Sequence, residues 1–428
     1  MSIKETIQSF VVRAKNSSLA KDSFWSVFGN AVSMLILMIC GIIIARVVGK
    51  EMYGQYGTVK NLMTSFASLA AFGFGYSSTK LISSDVSKYK GISIAAPNLV
   101  TGISAILFLF FLYFATPISE FLNKPDFKTF IIYIGILMFL KALFTVGTGI
   151  LAGYKQFKRI GLNAIYSAAL MLIICYPFTY FWGLTGALIA LIIFQSVAAF
   201  LALAYAYKYD KERNAYKWND YKDILKKTLP ISVHEISFTF STIAVIMVIL
   251  HYSSYGEYAL YSIAAQWNAI IIVIPTLLMN LTLSYLSSEQ ASTSHSLMLK
   301  RMLTINILST ILPFCAVLLG AGVISRFYGS DFVDLIPVLK IAVFTTLFSS
   351  VALVFQSNLI SEGRSWNLAA YRLGKDVLGL LILIWAFNVF TSYNCAIVAV
   401  TVDLIAYFVY ALVLVVDNAL YNKRKKTA

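Results

Sequence analysis

Residues 31–56 read AVSMLILMICGIIIARVVGKEMYGQY. The apolar run that ends at Ala45 begins at Ser23 and carries no charge. That length spans a hydrocarbon layer, which takes about 20 predominantly apolar residues as a helix. The run breaks at Arg46, and a short polar connection leads through Tyr53-Gly54-Gln55-Tyr56 into the next apolar run. The same pattern returns 202 residues later as Tyr255-Gly256-Glu257-Tyr258, again in a short connection between two apolar runs. A fainter echo relates the Gly153–Arg159 connection to Glu362–Trp366. These repeats predict an internal duplication into two halves of six helices each. An even number of spans returns the chain to its starting side, so both halves share one orientation. They are then related by an axis along the membrane normal, a pattern of transporters.

Composition supports the same class. The 428 residues are 59% hydrophobic and 12% charged, with mean hydropathy +0.78. Soluble domains are about 45–50% apolar and about 25% charged. So little charge cannot cover the surface of a water-soluble body of this size, which excludes a cytosolic enzyme, a secreted disulfide scaffold and a disordered chain. Cys40, Cys175, Cys315 and Cys395 lie in separate apolar runs without CxxC spacing, so they read as buried free thiols and not as a zinc site. No GxxxxGK[ST] phosphate loop occurs; Gly374-Lys375 comes nearest but is followed by Asp376. No HExxH or GxSxG motif occurs either, and no connection is large enough to house catalysis. The chain reads as a transporter and not as an enzyme, and no cofactor is called for.

The fold expected is an all-α polytopic membrane protein of about twelve transmembrane helices in two six-helix bundles. The spans fall near 23–45, 57–80, 92–115, 129–151, 161–181, 184–207, 228–251, 257–286, 301–323, 334–360, 366–389 and 395–417. The domain reading is a cytoplasmic or interfacial segment 1–22, an N-terminal bundle 23–207, a basic linker 208–227, a C-terminal bundle 228–417 and a basic tail 418–428. Within the first segment, Ile3, Ile7, Phe10, Val11 and Ala14 share one helical face, as in an interfacial amphipathic helix; a frayed polar tail is the alternative. The first span has no small-residue cleavage site and is not read as a removable signal. Basic residues concentrate on the cytoplasmic side of membrane proteins. With both termini cytoplasmic, 24 of the 34 Lys and Arg are cytoplasmic, five lie outside and five lie within spans. The net charge of +15 is therefore chiefly an orientation signal facing anionic inner-leaflet lipid, and no nucleic-acid partner is implied.

Charges inside spans carry the functional information. A charge at the centre of a membrane helix costs about 2.5–3.5 kcal/mol on insertion scales, so it must find a partner or a water-filled cavity. Lys60, Lys141, Lys340, Arg372 and Lys375 are the cations, with Arg46 and Lys80 at span ends; Glu235, Asp376 and Asp403 are the acids. Lys141 lies near the middle of its span, too deep to snorkel. Lys60 and Lys340 stand within two turns of a span end, where snorkelling competes with cavity lining. Arg46 and Lys80 have interfacial anchoring as their alternative role. Arg372 and Lys375 share a helix face, and Asp376 is four residues after Arg372, so an intrahelical ion pair competes there with a ligand site. The excess of cations suits an anion, either a diphosphate or an acidic sugar, because Lys offers a point charge and Arg a bidentate fork. It does not suit a cationic drug, which prefers acids and aromatics. His234-Glu235, Asp376 and Asp403 are candidates for ion coupling to a proton or sodium gradient. Gln266-Trp267-Asn268 are candidates for sugar contacts, and Pro275 removes a backbone bond and predicts a kink on the same helix.

Several motifs together resemble one family. Ala45-Arg46-Val47-Val48-Gly49 followed by Tyr53-Gly54-Gln55-Tyr56 resembles the ARxxG…(F/Y)GxY signature of polysaccharide flippases. Gly73–Lys80, Leu151-Ala152-Gly153-Tyr154 with Phe157, Tyr258 through Pro275, and Ser361–Trp366 are similar to later segments of the same proteins, in the same order. The family is the Wzx-type O-antigen flippase group of the MOP (multidrug/oligosaccharidyl-lipid/polysaccharide) exporter superfamily. The resemblance implies a MATE-like pair of bundles around a cationic cavity in a bacterial inner membrane. It implies alternating access that carries an undecaprenyl-diphosphate-linked oligosaccharide, an O-antigen or capsule repeat, from the cytoplasmic to the periplasmic leaflet. Candidate partners are then that lipid-linked oligosaccharide, an O-antigen polymerase and a chain-length regulator. No fixed coupling acid carries over. The alternatives are a multidrug/cation antiporter of the same superfamily, which should have acids in excess over bases inside its spans, and a major-facilitator anion or sugar transporter, whose GxxxDRxGRR-like loop Ser83–Gly91 does not supply.

Overall fold

The computed structural model describes residues 18–210, 218–276, 279 and 295–427, and these are almost entirely helical. In chain order the helices are α1 (Ser18–Ala71), α2 (Phe74–Ser84), α3 (Ile92–Leu122), α4 (Phe127–Gly153), α5 (Phe157–Tyr209), α6 (Trp218–Tyr252), α7 (Tyr255–Ile271), α8 (His295–Tyr328), α9 (Leu335–Ser361), α10 (Ser365–Val389) and α11 (Cys395–Thr427), with a short 3₁₀ turn at Ser330–Phe332. Seven of these segments are long and apolar enough to cross a membrane. That number is smaller than twelve for two reasons. First, α1 and α5 each hold two of the expected spans joined across a kink, at Gly49 (φ 79°, ψ 175°) and at Gly183 (φ 55°, ψ −135°). Second, α7 is too short and α10 too charged to qualify, and the described apolar part of α6 is the shorter stretch Thr239–Tyr252. The expected second span also divides: α1 stops at Ala71, and α2 starts after Gly73 in a left-handed conformation (φ 72°). The kink expected near Pro275 is present, as α7 ends at Ile271 and helical turns resume at 273–276. The proposed amphipathic segment 3–14 lies outside the described residues, as do 211–217 of the basic linker and most of 277–294.

The described chain forms two compact units. One contains Met1–Val48 and Thr58–Ile243, the other Gly49–Gly57 and Ala244–Ala428. In the first, α4 packs against α2, α3 and α5. Without a hydrophobic driving force between helices in lipid, close approach relies on small residues and polar ties. A Cβ at Gly149 would stand 2.1 Å from the Gly75 carbonyl oxygen, so α2 and α4 touch backbone to backbone. The two arms of α5 are tied by Asn163 Nδ2, which donates to the Ala198 carbonyl at 3.0 Å.

The end of α5 is held by a carboxylate. Asp210 is 1% exposed and accepts from the Gly91 N–H (2.9 Å), the Ser93 N–H (3.0 Å) and the Tyr154 hydroxyl (3.1 Å). It thereby caps the N-terminus of α3, where orphan N–H groups and the helix dipole both favour an anion. The stretch read as the basic linker from 208 thus includes a buried anchor at Asp210.

In the second unit, α9 packs against α7, α8, α10 and α11. Gly49–Gly57 belongs to this unit although the chain on either side belongs to the other. The reason is that the two copies of the duplicated motif pack on each other. A Cβ at Gly54 would lie 1.8 Å from the Tyr255 carbonyl oxygen, so only glycine fits between the two backbones. The Glu51 carboxylate accepts from the N–H groups of Tyr255 (3.2 Å) and Gly256 (2.7 Å), the first residues of α7, while the Ser254 hydroxyl accepts from Glu257 N–H at 3.2 Å. Lys50 bridges Glu257 (3.6 Å) and Asp334 (3.2 Å). The Tyr53 ring meets Tyr328 and Phe332 edge-on, with centroids 6.2 and 6.1 Å away. At the other end of this unit, Arg364 binds Asp417 at 2.6 Å and Glu362 at 3.4 Å, and the Tyr371 hydroxyl donates to Asp417 at 2.9 Å.

The two carboxylate caps differ in burial, and this sets an order of stability effects. Replacing Asp210→Ala leaves buried donors without a partner and should cost about 2–3 kcal/mol. Glu51→Ala removes a partly exposed cap and should cost about 1 kcal/mol. Thermal midpoints in detergent check this: Asp210→Ala should melt well below Glu51→Ala, and Asp210→Asn should fall between Asp210→Ala and the native protein.

Candidate functional site

In the first unit the structure brings together two of the sequence-derived cations. Lys141 is the fifteenth of the 27 residues of α4, placing its Cα about 18–21 Å from either helix end at a rise of about 1.5 Å per residue. Its ammonium lies 4.8 Å from the Phe144 ring centroid. Lys60 on the second arm of α1 is close enough for the two ammonium groups to repel each other. Both side chains are half-buried, held among helices but with accessible surface remaining. Among the described residues, no carboxylate reaches either ammonium within ion-pair distance.

Each lysine heads a polar stripe at helical spacing. Asn61, Thr64 and Ser68 follow Lys60, and Thr145 and Thr148 follow Lys141, all with accessible surface in otherwise apolar helices. The hydroxyls donate back along their own helices: Thr64 to the Lys60 carbonyl (3.0 Å), Ser68 to Thr64 (3.3 Å), Thr145 to Lys141 (2.9 Å) and Thr148 to Phe144 (3.0 Å). This leaves their oxygen lone pairs available to a polar ligand. Gly75 and Gly149 fix the neighbouring helix: Thr79 on α2 donates to the Gly149 carbonyl at 2.7 Å. Arg46 and Lys80 are exposed on the same unit.

The remaining cationic candidates belong to the second unit. Lys340 is exposed in the second turn of α9, in keeping with its snorkelling alternative. Lys375 sits at mid-depth in α10, and its ammonium binds Asp376 at 2.8 Å. Asp376, weighed above as a partner of Arg372, thus pairs with its neighbour Lys375. The ammonium also lies 4.3 Å from the Tyr407 ring centroid and 5.9 Å from that of Tyr410, both on α11. One turn along, Asp403 accepts from the Tyr261 hydroxyl of α7 at 2.8 Å. Arg372 acts electrostatically on Tyr410. A groove of about 250 Å³ runs between α10 and α11, lined by Ala370, Gly374, Lys375, Ala406 and Tyr410 among others.

The other candidates are placed as follows. Gln266, Trp267 and Asn268 are half-buried on α7; Asn268 spends one amide donor on the Ala342 carbonyl at 2.9 Å, and the Trp267 ring neighbours the Tyr328 hydroxyl. His234 and Glu235 fall in α6, with side chains outside the described residues. Cys40 and Cys175 are buried and in mutual contact. Among the described residues no group of three His, Cys, Asp or Glu could hold a metal ion. Sequence reasoning missed the Tyr407/Tyr410 cage and the Tyr261 donor, because tyrosines in apolar runs carry no pattern that sets them apart.

If the stripes line water, cysteines placed on them should react with a small water-soluble thiol reagent. In a background with the four native cysteines replaced by serine, Thr64→Cys, Thr145→Cys and Thr148→Cys should be labelled in membranes. Met63→Cys and Val146→Cys, at buried positions, should not. Equal labelling of both sets would show that the stripes face no aqueous space.

Comparison with known proteins agrees with this architecture. Residues 19–274 match the family described as "Polysaccharide biosynthesis protein". No curated protein matches the chain. Among solved structures, an inward-facing multidrug resistance MATE transporter of the MOP superfamily is 16% identical, with a TM-score of 0.77 over 91% of this chain and 96% of that one. An outward-facing structure of a MATE transporter of the same superfamily is 16% identical, with a TM-score of 0.64 over 97% and 99%. A MOP-superfamily transporter from Pyrococcus furiosus, described as having a binding pocket of reverse polarity, is 15% identical, with a TM-score of 0.61 over 92% and 94%. These identities establish a shared fold. The family match covers more than half of the 428 residues, so the chain belongs to the polysaccharide biosynthesis protein family, and its helices take the fold of the MOP-superfamily transporters.

Proposed function

We propose that this chain is a flippase of the bacterial inner membrane. Its cargo is an undecaprenyl-diphosphate-linked oligosaccharide, an O-antigen or capsule repeat unit, moved from the cytoplasmic to the periplasmic leaflet by alternating access. The observation that carries the reading is the pair Lys60 and Lys141: two like charges held near each other at membrane depth, on polar stripes, with no acid paired to either among the described residues. Two ammonium groups repel, and burial raises that cost. A diphosphate that binds both removes the repulsion and supplies the missing counter-charge. Thr64, Ser68, Thr145 and Thr148 add acceptors for sugar hydroxyls, while the polyprenyl chain stays in the bilayer. The basic-residue count supports cytoplasmic termini, and the family membership supports a glycan-linked cargo.

A second reading, a multidrug antiporter, draws on the likeness to multidrug MATE structures. The two differ in the charge of the cargo, and one experiment separates them. The protein is reconstituted into vesicles and assayed with a fluorescent polyprenyl-diphosphate oligosaccharide and, in parallel, with a cationic dye. The flippase reading expects transbilayer movement of the lipid-linked glycan and none of the dye. Charged hydrogen bonds contribute about 1.5–3 kcal/mol each, so Lys60→Gln with Lys141→Gln should slow glycan movement at least about tenfold to hundredfold. Unchanged movement in that variant would sink the cationic-site mechanism, and dye transport without glycan transport would favour the antiporter.

A further inference from the structure

The second unit contains a site built for a cation, and the chain fills it with its own side chain. Carboxylates and aromatic faces are what a monovalent cation seeks in a low-dielectric interior. Around Lys375 the structure supplies both: Asp376 at 2.8 Å, the Tyr407 ring at 4.3 Å and the Tyr410 ring at 5.9 Å. Asp403, with its Tyr261 hydrogen bond, is within electrostatic reach of both Lys375 and Asp376. That a cation belongs here is shown by the ammonium group seated in the cage.

Charge balance sharpens the point. Asp376, Tyr407 and Asp403 act on Lys375, and Tyr261, Lys375 and Asp376 act on Asp403; Tyr258 of α7 adjoins Tyr261, and Arg372 of α10 acts on Tyr410 of α11. Helix α9, which also packs here, has one titratable side chain, the exposed Lys340. The ammonium of Lys375 is the cation that the structure pairs with Asp376 and sets within electrostatic reach of Asp403. Take Lys375 away and both acids lose that positive charge inside the membrane. A single monovalent cation replaces it.

We infer that the Asp376–Asp403–Tyr261–Tyr407 cluster is a monovalent-cation site in which Lys375 stands permanently in place of an external sodium ion. The protein therefore binds no sodium at this site, and truncating Lys375 converts the site into one that does. The stem of Lys375 also lines the open groove between α10 and α11, so truncation leaves space for an ion. The inference does not depend on the cargo, since it is read by ion binding and not by transport.

The test is radiolabelled sodium binding to purified protein in detergent at alkaline pH, where protons compete least. Wild type and Lys375→Arg should show no saturable binding. Lys375→Ala should bind sodium saturably, on the order of tenfold or more tighter than wild type. Adding Asp403→Asn to Lys375→Ala should abolish the gain. If Lys375→Ala does not purify folded, Lys375→Gln removes the charge with less change of volume and carries the same expectation. Two results overturn the inference: saturable sodium binding by wild type that Asp403→Asn removes, or a folded Lys375→Ala or Lys375→Gln protein that gains no sodium binding.

Discussion

A lysine ammonium in the middle of a membrane helix has no bulk water and must be given a counter-charge, an aromatic face or an aqueous space. The described structure treats its buried lysines in two ways. Lys375 receives the first two from its own chain, with Asp376 and the Tyr407 and Tyr410 rings around it. Lys60 and Lys141 receive neither a carboxylate nor separation from each other; they keep accessible surface on stripes of threonine and serine. One charge group is therefore closed and the other open. The division of labour proposed for the two units rests on that contrast, because only the open group has uncompensated charge to offer an anion.

Backbone satisfaction imposes a second constraint on the connections. Helix ends expose N–H groups that lipid cannot hydrogen-bond. Here acids do the capping. Asp210 binds the start of α3, and Glu51 binds the start of α7. The second case explains why the segment between Gly49 and Gly57 leaves one compact unit for the other. Its glycine admits the Tyr255 backbone, its glutamate caps the helix, and its lysine bridges two acids. The two copies of the repeated short motif thus serve as each other's packing partner.

The sequence exposed charges far better than their neighbours. Lys141, Lys375 and Asp403 stand out because each interrupts an apolar run. The interruption of the helix ahead of Pro275 was also readable, from a residue that helices tolerate poorly. Partners were not readable. Tyr261 and Asp403 are 142 residues apart, and a tyrosine in an apolar run has nothing to distinguish a hydrogen-bond donor from a packing residue. Asp210 went unremarked for a related reason: it stands between Lys208 and Lys211 in a basic stretch, and its burial (1% exposed) depends on contacts with α3 and Tyr154. Asp376 was readable as a member of an intrahelical pair; its pairing with the adjacent Lys375 was not.

By itself the sequence determined that this is a helical membrane protein with a repeated motif and with cations inside its apolar runs. Hydrophobic length, charge scarcity and a repeated motif are properties of single residues and their spacing, and the bilayer reads them one segment at a time. Only the tertiary structure decided which cations are already paired and which are open. Whether a buried charge is satisfied depends on atoms a few ångströms away that come from other helices, and no local pattern records that distance.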